Sequence, residues 1–126
     1  MMKNAVRDAG LSALVALGLF VPLIGLLTEK SSHGSIDYPL AVLRMAKTQG
    51  LDQVYVHMIL DGRSTNPGSA PDLLENFELK IDEIGIGKVV SGVGRGIALD
   101  RDGNYAKIQR AYDALVTGKG KHCMMD

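Results

Sequence analysis

The seven-residue run Val54–Leu60, VYVHMIL, constrains this chain most, because it is continuously apolar, rich in β-branched and aromatic residues, and lies between two stretches of helical period. A run of that length and composition reads as a strand buried on both faces. Before it, Ile36, Leu40, Leu43 and Ala46 keep helical spacing and stop at Gly50. After it, Asp61–Gly68 is dense in turn formers, and Ser69 is placed to cap a helix with Pro71 in its first turn. That helix carries Leu73, Leu74, Phe77, Ile81 and Ile84 and ends at Gly85. Lys88–Val93 predicts a second strand and Gly94–Gly103 a loop. Tyr105, Ile108, Tyr112 and Leu115 mark a last helix ending at Gly118. The order helix, strand, helix, strand, helix is α/β with a partial parallel sheet. Two strands leave edges and faces uncovered, so the pattern reads as part of a larger domain.

The first thirty residues follow another rule. From Ala9 to Thr28 there is no charged side chain, and LSALVALGLFVPLIGLL is apolar almost throughout. Twenty such residues make a helix of about 30 Å, the thickness of a bilayer core. Lys3 and Arg7 before the run would hold the N-terminus on the cytoplasmic side. The expectation is a hydrophobic N-terminal helix that spans a membrane through residues 9–28, with a buried soluble helix and a signal sequence as the alternatives. The stretch resembles the first span of permease subunits of branched-chain amino-acid ABC transporters, although one span cannot form a transport path. Three segments follow: a leader at 1–30, an α/β part at 31–120 and a tail at 121–126.

Fourteen basic side chains balance fourteen acidic ones, so no global field draws the chain to nucleic acid. An anion site would have to be local. The single cysteine, Cys123, excludes an intrachain disulfide, and His33, His57 and His122 fall in no metal-binding spacing, so no metal site is expected from this chain. His57, inside an apolar strand, reads as a satisfied core histidine and His122 as solvent-exposed.

Three groups could carry chemistry. In Asp61-Gly62-Arg63-Ser64-Thr65, Gly62 permits a sharp turn and Arg63 offers a planar donor fork to a carboxylate or phosphate. The plain alternative is an arginine on a solvated loop. In Gly94-Arg95-Gly96-Ile97-Ala98-Leu99-Asp100-Arg101-Asp102, Arg95 and Arg101 could converge on one anion, with Asp100 and Asp102 orienting Arg101 or capping the next helix. The alternative is that Arg101 stays in local surface ion pairs. His33 precedes a helix whose first amides could hold an anion, or is simply solvated. Glycines 92, 94 and 96 do not open directly into a helix, and so are not read as a nucleotide fingerprint. Ser64 has no neighbouring base, and no residue is assigned a catalytic role.

The segments HGSIDYPLAVLRMAKTQGLDQVYVHMILDGRST and GVGRGIALDRDGNYAKIQRAYDALVTGKG together resemble the cofactor-independent (2,3-bisphosphoglycerate-independent) phosphoglycerate mutases, over residues 33–118. The resemblance implies the phosphotransferase domain, which grips the glycerate, with His33, Arg63, Arg95 and Arg101 as substrate contacts. It implies a glycolytic isomerase whose serine nucleophile and two manganese ions belong to a separate domain. No cofactor is expected on this chain, and a complementing mutase domain would be its partner. Four positions depart from the family pattern: Ser35 replaces a histidine, Ser64 an aspartate, and Gly96 and Ile97 two tyrosines. The expected function is that of a truncated homologue, inactive alone and binding phosphoglycerate weakly, its mutase-like part cytoplasmic. The alternative is a noncatalytic, membrane-anchored protein, or a nonfunctional fusion of a permease fragment with a mutase fragment.

Overall fold

The computed structural model describes residues 20–29 and 31–122. Within them lie three parallel strands in the order β1 (Val21–Leu27), β2 (Val54–Leu60) and β3 (Lys88–Gly94). Helix α1 (Asp37–Thr48) joins β1 to β2, and α2 (Ala70–Ile84) joins β2 to β3. A single turn, α3 (Arg95–Ala98), and then α4 (Tyr105–Thr117) follow β3. The α/β class and the parallel sheet agree with the sequence pattern.

The apolar run preceding Thr28 is the main correction. Residues 21–27 are a strand in register with β2, from Val21 opposite Val54 to Leu27 opposite Leu60. No helix among the described residues is long and apolar enough to cross a membrane. Residues 9–19 of the expected span, and Cys123, lie outside the described residues. Apolar residues without period suit a buried strand as well as a buried helix. Here the sheet decides. The amide of Val21 donates to the Gln53 carbonyl at 2.7 Å, and Pro22, which has no amide to give, stands next on a strand with one neighbour among the described residues.

One face of the sheet holds the core. Val54, Val56 and Met58 point from β2 toward Leu40, Leu43 and Ala46 of α1 and Leu73, Phe77, Ile81 and Ile84 of α2, with Leu27 and Ile36 completing the cluster. Both helices therefore bury the residues their spacing predicts, except Leu74, which is half-buried against the core. The other face differs from expectation: Tyr55, His57 and Ile59 are only half-buried, and neighbouring Ile24 is 56% exposed. His57 is satisfied there, with Nδ1 2.7 Å from the Ser91 hydroxyl. The apolar stripe of α4 is largely uncovered, since Tyr105, Ile108 and Tyr112 are exposed, Leu115 is half-buried and Ala111 is the helix's buried residue. Helical period identified α4; it did not supply a surface to bury it against.

Two end signals act differently from their sequence reading. Ser69 occupies the N-cap position of α2, but its hydroxyl donates back to the Asn66 carbonyl at 2.7 Å and caps no helix amide. Gly94–Gly103 is not all loop, because α3 starts directly after β3, against the expectation that the glycine-rich stretch leads into no helix. Asp100 serves the capping alternative in part. Its Oδ2 accepts the amides of Asp102 and Asn104 at 3.3 and 2.9 Å, which shapes the entry to α4. Ser35 ties α1 to β1: its hydroxyl donates to the Glu29 carbonyl at 2.9 Å and accepts the Asp37 amide at 3.2 Å.

Candidate anion site at the strand ends

Parallel strands place their carboxyl ends on one side of the sheet, where the following loops enclose a crevice. Leu27, Leu60 and Gly94 end the three strands in one register row. The next residue of each strand is polar: Thr28, Asp61 and Arg95. Asp61, Arg95 and the loop that follows β2 border an open cleft of about 510 Å³, floored by Leu27, Leu60 and Leu73 and lined also by Arg63, Thr65 and Asn66.

Arg95 reaches across this row. Its Nη1 donates to Asp61 Oδ1 at 2.6 Å, with the Asp61 side chain fully buried and that of Arg95 19% exposed. The loop after β2 curls around the same carboxylate. Gly62 takes φ +60°, a left-handed conformation that a side chain disfavours, and this lets the Arg63 amide donate to Asp61 Oδ1 at 3.4 Å. The Gly62 amide donates to the Thr65 hydroxyl at 3.1 Å, which closes the turn. Burial pushes the Asp61 carboxyl up, but the Arg95 guanidinium, the Ser64 and Arg63 amides and the Thr28 hydroxyl outweigh it and hold the group below its ordinary value. Asp61 Oδ2 and Thr28 Oγ1 are both buried with no partner at hydrogen-bond distance among the described residues.

Of the four residues expected to share a ligand, the cleft brings Arg63 and Arg95 together. His33 lies instead in a groove between β1 and α1, with Leu26, Tyr38 and Pro39 among its walls. Arg101 is exposed on the turn before α4 and is not part of the cleft lining. Ser64 is exposed on the loop beside Arg63. Sequence reasoning gave no role to Asp61 or Thr28. The available signal was their position, each directly after an apolar strand; their pairing with Arg95 depends on sheet register.

The described residues do not fit a manganese site. No three His, Cys, Asp or Glu side chains cluster among them, and the buried carboxylate of Asp61 is already committed to Arg95. What the cleft offers is a planar cation with donors to spare, a second arginine and loop hydroxyl and amide groups, which is equipment for holding an anion.

Comparison with known proteins agrees with this architecture. The family model described as BPG-independent PGAM N-terminus matches residues 1–126. The 2,3-bisphosphoglycerate-independent phosphoglycerate mutase of Cronobacter sakazakii is 38% identical over 120 residues, which cover 95% of this chain and 23% of that protein. The enzyme of the same name from Lachnoclostridium phytofermentans is 42% identical over 98 residues, 78% of this chain and 19% of that protein. A crystal structure of Leishmania mexicana phosphoglycerate mutase has the same fold, with a TM-score of 0.78 at 23% identity, covering 97% of this chain and 22% of that one. The chain thus spans about a fifth of the relatives' length. The family match starts at residue 1, and the likeness of residues 9–29 to a transporter permease finds no support. This chain belongs to the family of 2,3-bisphosphoglycerate-independent phosphoglycerate mutases, as a homologue of their N-terminal region.

Proposed function

We propose that the strand-end cleft holds the phosphate or carboxylate of a phosphoglycerate, as part of the substrate-gripping region of a 2,3-bisphosphoglycerate-independent mutase. The observation that carries this reading is that Arg63 and Arg95, from loops 32 residues apart, line one cleft. A guanidinium offers five donors, and Asp61 engages one nitrogen of Arg95, which leaves donors for a ligand oxygen. His33 and Arg101 follow the two outer strands, β1 and β3, and in this reading they contact ligand atoms that extend beyond the cleft. The role is to bind and orient. Phosphoryl transfer, with its manganese, is assigned to a complementing part of the mutase.

The cleft is open and wet, so each arginine contact is worth less than in a closed site, and phosphoglycerate should bind the 126-residue chain at about millimolar strength. The test is a calorimetric or NMR titration of 3-phosphoglycerate into the chain and its Arg63→Ala, Arg95→Ala and Lys119→Ala variants. Weakening by about tenfold in each arginine variant, with the lysine variant unchanged, is the expected pattern. Equal affinity in all four proteins would remove the assignment.

A further inference from the structure

We propose that Asp61 is a positioning residue for Arg95: its buried carboxylate grips one guanidinium nitrogen so that the remaining donors face the cleft. This rests on the reading of the cleft as an anion site, and it extends that reading to a residue that touches no ligand. Three observations converge on it. Asp61 Oδ1 lies 2.6 Å from Arg95 Nη1, and the acid side chain has no solvent exposure while the base keeps some. The carboxylate is itself fixed, by the Arg63 amide and by its place directly after β2. Its other oxygen, Oδ2, and the Thr28 hydroxyl are both buried, and the three strand ends contribute one polar group each to a single register row.

A carboxylate beside an anion-binding arginine has two opposed effects. As a charge it cancels part of the arginine's attraction for the ligand. As a clamp it removes the rotamer freedom that a long, half-solvated side chain would otherwise lose on binding. The arrangement favours the clamp, because the contact occupies a single nitrogen and is directed from within the protein while the ligand side stays open. The sign of one measurement separates the two effects.

The experiment uses the complete chain, labelled for NMR of arginine side chains, with Asp61→Asn and inorganic phosphate as the probe. Positioning predicts that Arg95 guanidinium rotation and proton exchange quicken by about tenfold, and that phosphate binds more weakly than to the unaltered chain. Tighter phosphate binding in the variant would show that Asp61 only opposes the ligand's charge, and would overturn the proposal. An Arg95 signal indifferent to the substitution would also overturn it. Should Asp61→Asn not fold, Arg95→Gln gives the reciprocal test: the Asp61 carboxyl should titrate at higher pH once burial acts with less opposition, and an unmoved titration would sink the idea. If the unaltered chain shows a restrained Arg95 but binds no phosphate, the anion site is refuted while the Asp61 clamp stands.

Discussion

Asp61 and Arg95 are 34 residues apart in sequence, yet each stands directly after its own strand, and their side chains meet at 2.6 Å. The pair is a direct product of parallel register. Leu60 lies opposite Gly94, so the residues that follow them emerge side by side. No local motif contains both members.

Two titrating groups give the fold separate acid responses. The Asp61 carboxyl is pushed up by burial but held below its ordinary value on balance, so the native state binds fewer protons there than the unfolded chain. Its stabilising contribution is present above the ordinary aspartate range, about pH 4, and is lost as pH falls through the lowered folded value. Burial also lowers the His57 imidazole, and the native state resists a proton there from about pH 6.5 downward. Thermal melts across pH should therefore show stability declining first below about 6.5 and again below about 4. His57→Gln should flatten the first decline and Asp61→Asn the second. An unchanged profile in either variant would contradict the assignment of its window.

Leu27 tests the place of β1 in the core. It is 1% exposed and lies in the cluster formed with α1, α2 and β2. Leu27→Ala should cost about 2–5 kcal/mol in chemical denaturation, the range for a leucine removed from a packed interior. A loss within about 0.5 kcal/mol, as for ordinary surface positions, would mean that the segment is not packed as a core strand.

Phe77 is the largest fully buried side chain of the cluster, projecting from α2. Phe77→Ala should cost about 3–5 kcal/mol, a large share of the stability of so small a domain. The expected reading is a denaturation midpoint shifted sharply downward, with loss of cooperativity if α2 detaches.

Gly87 joins α2 to β3 at φ +102°, and a Cβ built there would lie 2.9 Å from Leu43 Cδ2. Gly87→Ala should therefore destabilise by more than about 1 kcal/mol, through backbone strain and displacement of a core leucine together. Gly96→Ala, with no atom within 4 Å of the added methyl and a backbone already helical, should be neutral or stabilising. Paired melting curves of the two variants check both signs at once.

Legibility of the fold in the sequence followed the range of the interactions. The bounds of β2 were readable because a β-branched run ends abruptly at Gln53 and Asp61. The buried faces of α1 and α2 were readable because Leu40, Leu43, Leu73, Phe77 and Ile81 keep one period. Residues 21–27 were misread because they continue an uncharged run from Ala9, and length then favours a helix. The half-exposed face of β2 and the bare stripe of α4 could not be foreseen, since periodicity states which residues are apolar and not what covers them. At the site, Arg63 and Arg95 were legible as loop arginines after strands. Asp61 was not, because its partner is chosen by sheet register.

The register row that brings Thr28, Asp61 and Arg95 together also sets when the cleft can exist during folding. Parallel strands pair only once the chain has closed over the intervening crossover, here about thirty residues, a slow, non-local step. The Asp61–Arg95 contact cannot precede the docking of β3 on β2, so it should be absent or weak in the folding transition state. Loss of the contact should then speed unfolding while leaving the refolding rate nearly unchanged. The ion pair acts as a late latch: it lengthens the lifetime of the assembled sheet without guiding its formation.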